Sequence, residues 1–203
     1  MTERTPATRG RPRSFDRERA LEQALLAFWA HGFEATPVST LSRTMGVGPP
    51  SLYAAFGDKK SLFREVVEVY QRTYGGFARR ALEEEPTARA GVARLLREAA
   101  AEYTAADRPR GCLILSAATN CTDDSADIER LLRDERNANL AEIEARIRAD
   151  IATKVLPGNT DAPALARLTG ATIQGMSQQA RDGATQTQLE ALATAAMNAW
   201  PPE

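Results

Sequence analysis

The feature that most constrains this chain is the segment from residue 38 to residue 60, V-S-T-L-S-R-T-M-G-V-G-P-P-S-L-Y-A-A-F-G-D-K-K. Apolar residues recur at helical spacing from Val38 to Met45, and Gly46 then ends that helix. A second helix is predicted from the Pro49-Pro50 pair, because proline is tolerated in a first helical turn, where its missing amide would have no intrahelical partner. Two short helices joined by a glycine turn form a helix-turn-helix, whose second helix can enter the major groove of DNA.

Composition excludes several classes of function. Of the 203 residues, 43% are hydrophobic and 26% are charged, which is typical of a globular protein, and no apolar run approaches the length of a membrane span. The N-terminus lacks the apolar core of a secretory signal, so a cytoplasmic protein is expected. One histidine, His31, leaves little for a metal site or a catalytic triad, and no phosphate-binding glycine loop is present. We therefore expect no enzyme activity, no cofactor and no metal.

Positive charge is concentrated at the N-terminus. The first 15 residues hold four arginines against one glutamate, so they carry +3 while the remainder of the chain carries −4. Residues 1–14 are interpreted as a flexible basic arm, because Gly10 and Pro12 interrupt regular structure. We expect Arg9, Arg11 and Arg13 to lie along a DNA groove or backbone. The alternative is a solubilising tail.

The rest of the pattern is helical, which predicts an all-α protein of about nine helices. Residues 15–60 are expected to form a three-helix DNA-binding head, with Thr36 capping its second helix, and residues 61–203 a larger helical body. One long helix is predicted from Lys59 through Ala81, although Gly75-Gly76 weakens its last turns. Further helices are predicted at residues 87–106, 124–155, 162–181 and 185–199, and the apolar stretch 112–121 is assigned to the core.

These motifs resemble the TetR/AcrR family of bacterial one-component transcriptional regulators. Residues 32–63 follow the family pattern of a glycine, a Thr cap, an apolar helix, an M-G-V turn, L-Y-x-x-F and a lysine that opens the next helix. The stretches R-G-C-L-I-L-S-A-A-T-N-C and I-Q-G-M-S-Q-Q-A-R-D-G-A-T look like one AcrR-like subgroup. The resemblance implies a homodimer whose two heads enter successive major grooves of a near-palindromic operator, with half-sites about 34–36 Å apart.

The resemblance also implies which residues meet DNA. Hydroxyls, a phenol and an ammonium at helix N-termini are good phosphate donors, so the physical interpretation agrees with it. The implied contacts are Thr36 and Ser39 to phosphate, Gly48, Pro49, Pro50 and Ser51 at the start of the recognition helix, Tyr53 to the backbone, and Lys59 to phosphate.

The recognition helix departs from the commoner family pattern. Many members have a basic residue within the stretch where this chain has Gly48 to Ser51, and His or Tyr where Ala54 and Ala55 stand. Few groups are left that could bond to base edges. Thymine-methyl contacts, DNA shape and the arginine arm are therefore expected to supply more of the specificity.

A ligand cavity among the helices between residues 87 and 181 is the next implication of the resemblance. Its expected lining combines apolar residues with an occasional hydroxyl or amide, as small-molecule pockets usually do. The candidates are Tyr103, Leu115, Thr119, Gln174 and Gln178. A homodimer interface is implied for the last two helices, which are rich in small side chains, with intrachain packing as the alternative. The candidate interface residues are Ala166, Gly170, Leu189, Leu192, Ala195 and Ala199.

The function expected from these features is a transcriptional repressor that a small-molecule inducer releases from its operator. One alternative is an architectural DNA-binding protein without a ligand. Another is a redox-sensing regulator that uses the thiols of Cys112 and Cys121. If both cysteines lie on one helix, a rise of about 1.5 Å per residue separates them too far for a disulfide, so two buried apolar thiols are the default interpretation.

Overall fold

The computed structural model describes residues 16–201, so the predicted arm with Arg9, Arg11 and Arg13 lies outside the described residues. Within that range the protein is all-α, as predicted, with no β-strand. Nine of its α-helices have eight or more residues, and a tenth is a single turn. The helices are α1 (Arg17–His31), α2 (Val38–Met45), α3 (Pro49–Phe56), α4 (Lys59–Arg72), α5 (Gly76–Glu84), α6 (Ala88–Thr104), α7 (Leu113–Ser116), α8 (Ala126–Ala152), α9 (Ala162–Arg181) and α10 (Gln186–Met197).

Local sequence signals begin five of these helices. In each case a side-chain oxygen of the residue before the helix accepts a hydrogen bond from a backbone amide in the first turn, which otherwise has no intrahelical partner. These caps are Asp16, Asp58, Thr87, Asp161 and Thr185.

The single helix predicted from Lys59 to Ala81 is wrong, because the chain breaks it into α4 and α5. At the break the Thr73 hydroxyl donates to the Val69 carbonyl, and the Gly75 amide donates to the Tyr70 carbonyl at 2.8 Å. A β-carbon at position 75 would lie 3.1 Å from the Tyr70 ring. The two adjacent glycines therefore permit a tight turn that presses Tyr70 against the backbone, and a continuous helix is lost.

The stretch 112–121 is only partly in the core: residues 112–114, 117 and 118 are buried, as expected, residues 115 and 116 are half-buried, and Thr119 and Asn120 are exposed. Only Leu113–Ser116 is helical. It is entered through Gly111, whose φ of +79° lies in the left-handed region. Because α7 is one turn long, Cys112 and Cys121 do not share a helix, and the predicted separation along a helix axis does not apply. Both cysteines are free thiols.

α4 packs against both parts of the chain. At its N-terminal end Phe63 meets Phe28 edge to face, with ring centroids 5.0 Å apart. At its C-terminal end the Tyr70 hydroxyl donates to the sulfur of Cys112 in the body at 3.3 Å, and the Tyr70 ring lies 5.0 Å from Trp29 of α1. The buried core is continuous through this helix. A division of the chain at residue 60 therefore stays a prediction.

Candidate nucleic-acid interface and ligand cavity

The helix-turn-helix is built by α2, a short turn and α3. Gly46 takes a left-handed conformation (φ 69°, ψ 28°) that favours glycine, and the Val47 amide donates to the Ser42 carbonyl at 3.0 Å. Leu41 and Leu52 are fully buried on the facing sides of the two helices. The turn and this apolar contact fix how α3 is presented.

The first four residues of α3 offer no free backbone donor. Pro49 and Pro50 have no amide hydrogen, while the amides of Ser51 and Leu52 both donate to the Gly48 carbonyl, at 3.0 and 3.1 Å. Residues 48–51 are all exposed. This end of α3 can meet DNA through apolar surface and the Ser51 hydroxyl, but its amides are not available to phosphate.

Other donors are available nearby. Tyr53 is 48% exposed, which is unusual for a large aromatic side chain and leaves its phenol facing solvent. Ser39 is exposed in the first turn of α2, a helix without a side-chain cap, and the amides of Val38 and Ser39 have no acceptor among the described residues. A helix N-terminus with free amides and a hydroxyl can bind phosphate.

Thr36 does not belong to this surface. Its side chain is fully buried, and its hydroxyl donates to the Gly32 carbonyl at 2.6 Å. The residue directly before α2 is Pro37, not Thr36. The predicted cap and the predicted phosphate contact through the Thr36 hydroxyl are therefore wrong, because that hydroxyl closes the turn after α1.

Lys59 opens α4, as the motif implied, and its side chain is half-buried. Its ammonium lies 4.2 Å from the centre of the Phe33 ring. Burial lowers the pKa of Lys59, and the charge of Glu34 opposes that shift. A phosphate contact by Lys59 stays a prediction.

A cavity of about 670 Å³ lies in the body, and α4 forms part of its wall. Most of the inner wall is apolar or aromatic. Its members include Tyr70, Phe77, Leu82, Leu95, Tyr103, Cys112, Ile114, Leu115, Leu140, Ile143 and Ile173. The size and the lining are those of sites that bind drug-sized molecules.

Of the five residues predicted to line a cavity, Tyr103, Leu115 and Gln174 do line it. Thr119 and Gln178 do not, and those two predictions are wrong. The Thr119 side chain is exposed, and the exposed Gln178 donates to the Asp182 carboxylate at 2.9 Å. Both lie on sides of their segments that face solvent, which periodicity alone did not distinguish.

Gln71 and Arg136 are among the polar residues of the wall that sequence reasoning missed. Arg136 lies midway between Leu132 and Leu140, four residues from each, so it shares their inward face of α8. A charged residue inside an apolar helical stripe is a signal that could have indicated it.

The polar atoms deep in the cavity are uncharged. The Tyr70 hydroxyl donates to the Cys112 sulfur at 3.3 Å, and burial raises the pKa of Tyr70 and of Tyr103 well above the ordinary value. Burial also raises the pKa of the Cys112 thiol. The partly exposed Cys121 has a raised pKa as well, chiefly through burial and then through the charge of Glu34. Neither cysteine is held as the reactive thiolate.

Two sets of contacts join the cavity wall to the DNA-binding head. In the wall, the Gln71 amide donates to the Glu135 carboxylate at 2.5 Å, which links α4 to α8. Near the head, Asp127 at the start of α8 pairs with Lys60 at 2.7 Å and Arg64 at 2.9 Å. α4 therefore contacts α8 both beside the cavity and beside the head.

The predicted dimer residues divide into buried and exposed. Ala166 and Leu189 are buried within the chain, and a β-carbon on Gly170 would overlap the Leu140 side chain. Gly170 packs α9 against α8, and all three residues are covered within one chain, so their assignment to a dimer surface is wrong. Leu192 is half-buried, whereas Ala195 and Ala199 are exposed.

A different stripe faces outwards on α9. Ala164, Leu168 and Ala171 are exposed and Gly175 is half-buried, at spacings of four, three and four residues. Leu168 is 38% exposed, one of two exposed large hydrophobic side chains among residues 16–201. Next to this helix, α10 exposes small side chains at Ala191 and Ala195, and Ala199 is exposed just after the helix ends.

Within the described range, no helix is long and apolar enough to cross a membrane. No group of three or more histidine, cysteine, aspartate or glutamate side chains is arranged to hold a metal ion in residues 16–201.

Comparison with known proteins places this geometry in a family. The family model described as "Bacterial regulatory proteins, tetR family" matches residues 20–66. The Escherichia coli HTH-type transcriptional repressor ComR is 33% identical over 195 residues, which cover 96% of this chain and 93% of ComR. The E. coli HTH-type transcriptional repressor BdcR is 34% identical over 115 residues, which cover 57% of this chain and 58% of BdcR.

A solved structure is similar over nearly the whole chain. It is a cysteine mutant of the TetR family transcriptional regulator CifR in complex with a 26-bp double-strand operator DNA. It superposes with a TM-score of 0.89 at 40% identity and covers 95% of this chain and 100% of that one. With these matches and the exposed helix-turn-helix, the chain belongs to the TetR family of bacterial transcriptional regulators.

Proposed function

We propose that this protein is a repressor that binds a near-palindromic operator as a homodimer and leaves it when a small molecule occupies the cavity. The observation that carries the DNA-binding part is the exposed surface of α2 and α3, with Ser39, Ser51 and Tyr53 facing solvent. The comparison with CifR supports it, since that protein is solved on operator DNA at 40% identity to this chain.

The interface proposed for DNA consists of Ser39, residues 48–51, Tyr53 and Lys59. Only Ser51 and Tyr53 bring polar side chains to the outer face of α3, so hydrogen bonds to base edges are few. The arginines of the N-terminal arm are proposed to add groove contacts. We expect the triple variant Arg9→Ala/Arg11→Ala/Arg13→Ala to bind more weakly and to discriminate less among operator variants.

Ligand response is supported by the position of the cavity. Tyr70 and Gln71 of α4 form part of its wall, and the same helix carries Lys60 and Arg64, which hold Asp127 at the head. A ligand that displaces this end of α4 would also move the attachment of the head. The spacing of two heads in a dimer must match one helical turn of DNA, so a small rotation is enough to lose one half-site.

Pairing of two chains is supported by the exposed stripes of α9 and α10. Ala164, Leu168 and Ala171 on one helix, with Ala191 and Ala195 on the other, present small and apolar side chains to solvent. Small residues let helices approach closely, and burial of Leu168 removes apolar surface from water. We place the dimer interface on these outward faces.

The experiment that tests the proposal is a mobility-shift titration of the full-length protein on DNA from directly upstream of its own gene. We expect retardation with a Kd of about 10 nM or tighter, and no such complex on a shuffled DNA of equal length. Sedimentation of the same sample should give twice the mass of one chain. Failure to shift any DNA flanking the gene at low salt would contradict the proposal.

A further inference from the structure

The cavity contains one partly buried cation, Arg136. Four arginines line the cavity, and the other three, Arg72, Arg79 and Arg80, are exposed. Arg136 is half-buried on the inward face of α8, and its Nη1 donates to the carbonyl of the buried Ile114 at 3.0 Å. This bond fixes the guanidinium against the wall.

Arg136 has no carboxylate partner among the described residues. Elsewhere in the same range the half-buried Arg94 meets three carboxylates and Arg146 meets Asp150, whereas Arg89 and Arg110, also half-buried, meet none. The neighbouring Glu135 accepts instead from Gln71. A guanidinium has five N–H donors, so the single bond to Ile114 leaves several without a protein partner.

The pKa shift of Arg136 agrees with its lack of a carboxylate partner. Burial lowers the pKa of Arg136, and the charge of Glu129 opposes that shift only in part. The group nevertheless keeps its charge, because an arginine side chain is not deprotonated in proteins. The wall thus holds a partly desolvated positive charge that Glu129 compensates only in part, which costs free energy that an anion could return.

We propose that the molecule recognised by this cavity is an amphipathic organic acid whose carboxylate pairs with Arg136 while its apolar part packs on Phe77, Leu95, Tyr103 and Ile143. This inference rests on the proposed ligand response and names its chemical class. A carboxylate matches the planar fork of a guanidinium. A phosphate monoester would bring a second negative charge, and the cavity has no second buried cation to meet it.

The test uses two matched pairs of probes that differ only in charge, 4-phenylbutanoate with 4-phenylbutanamide and decanoate with decanamide. Binding to the full-length protein is measured by isothermal titration calorimetry. We expect at least one acid to bind saturably and about tenfold or more tighter than its amide, as a desolvated charged hydrogen bond predicts.

Substitution of Arg136 tests whether this residue causes the preference for the acid over the amide. Arg136→Met should remove the difference between acid and amide, while Arg136→Lys should retain part of it. Arg133→Met is the matched control, since Arg133 is exposed on the same helix beside Asp134 and is not part of the cavity wall. The control should preserve the full preference. Circular dichroism establishes that each variant is folded.

Several results would overturn the inference. They are amides that bind as tightly as acids, an acid preference that survives in folded Arg136→Met, or no saturable binding by either acid. The mobility-shift titration separates failure of this inference from failure of the proposed function.

If the amide releases operator DNA as well as the acid does, the chain is a ligand-released repressor but Arg136 does not select an acid. If an acid binds through Arg136 and no DNA is shifted, the repressor function fails while the ligand class stands.

Discussion

At the scale of single residues, the candidate interface depends on side chains that the fold leaves in solvent. Tyr53 is the clearest case, because an aromatic residue at helical spacing is usually core, yet this one is 48% exposed while Phe56, three residues later, is buried. Thr36 shows the opposite. Its sequence position matched a family contact, and the fold turned its hydroxyl inwards to Gly32.

Removing the Tyr53 hydroxyl should weaken DNA binding without destabilising the protein. We expect Tyr53→Phe to raise the Kd for operator DNA about tenfold or more, the effect of one hydrogen bond to a charged phosphate, measured by fluorescence anisotropy. The thermal midpoint should stay unchanged, because the hydroxyl has no partner within residues 16–201. Tyr74→Phe is the matched control, since that hydroxyl bonds to Glu22 at 2.6 Å away from the interface. Equal DNA affinities for wild type and Tyr53→Phe would remove the hydroxyl from the proposed contacts.

At the scale of elements, the short helix α7 and the loop before it tie the head to the body. The Gly111 amide donates to Tyr103 in α6 and its carbonyl accepts from Trp29 in α1. The Cys112 amide donates to the Ser177 hydroxyl of α9. Three helices distant in sequence are thus held by two consecutive residues. The φ of +79° at Gly111 allows the backbone to approach all three helices.

A β-carbon at position 111 should be costly for two separate reasons. It would force alanine into a left-handed conformation, and it would lie 2.8 Å from the Ser177 carbonyl oxygen. We expect Gly111→Ala to lower the free energy of unfolding by about 2 kcal/mol or more in urea titrations. Gly46→Ala is the control, because φ there is +69° and nothing lies within 4 Å of a β-carbon. It should lose only about 1–2 kcal/mol. Equal losses in the two variants would exclude the contact with Ser177 as a source of strain.

The helices also show how much of the secondary structure could be predicted from the sequence. Periodic apolar residues predicted α6, α8, α9 and α10 within a few residues, because this signal acts over one or two turns. The break between α4 and α5 was not predicted, although Gly75-Gly76 marked it. It depends on packing of the Tyr70 ring against the turn, which no local signal encodes.

At the scale of the whole molecule, the function proposed here requires the cavity and the head to be mechanically connected. Asp127 provides one such connection, because a single carboxylate binds both Lys60 and Arg64 of α4. Hydrogen bonding from Lys60, and then the charges of Lys60 and Arg64, lower the pKa of Asp127, so the connection persists at neutral pH. The groups are substantially exposed, so their role is in orientation more than in stability.

Loss of this connection should weaken the effect of ligand on DNA binding. For a compound that releases wild-type protein from DNA, we expect the ratio of the Kd values with and without compound to fall about twofold to thirtyfold in Asp127→Asn. Thermal stability should change little. Glu144→Gln is the matched control, because Glu144 is a half-buried carboxylate of the same helix that pairs with Arg148 four residues on. An unchanged ratio in Asp127→Asn would show that coupling does not pass through this pair.

The sequence by itself determined the helical fold, the helix-turn-helix and most helix starts, because caps, proline positions and apolar periodicity act between near neighbours in the chain. Only the tertiary structure decided which face of each helix is hidden. It placed Ala166 and Gly170 inside and Leu168 outside, turned the Thr36 hydroxyl inwards, and brought Arg136 into a cavity with Tyr70 and Tyr103. Those outcomes depend on contacts between residues tens of positions apart. Rotating a helix about its axis by the angle between two successive residues changes which side chains are buried, although the apolar periodicity of its sequence stays the same.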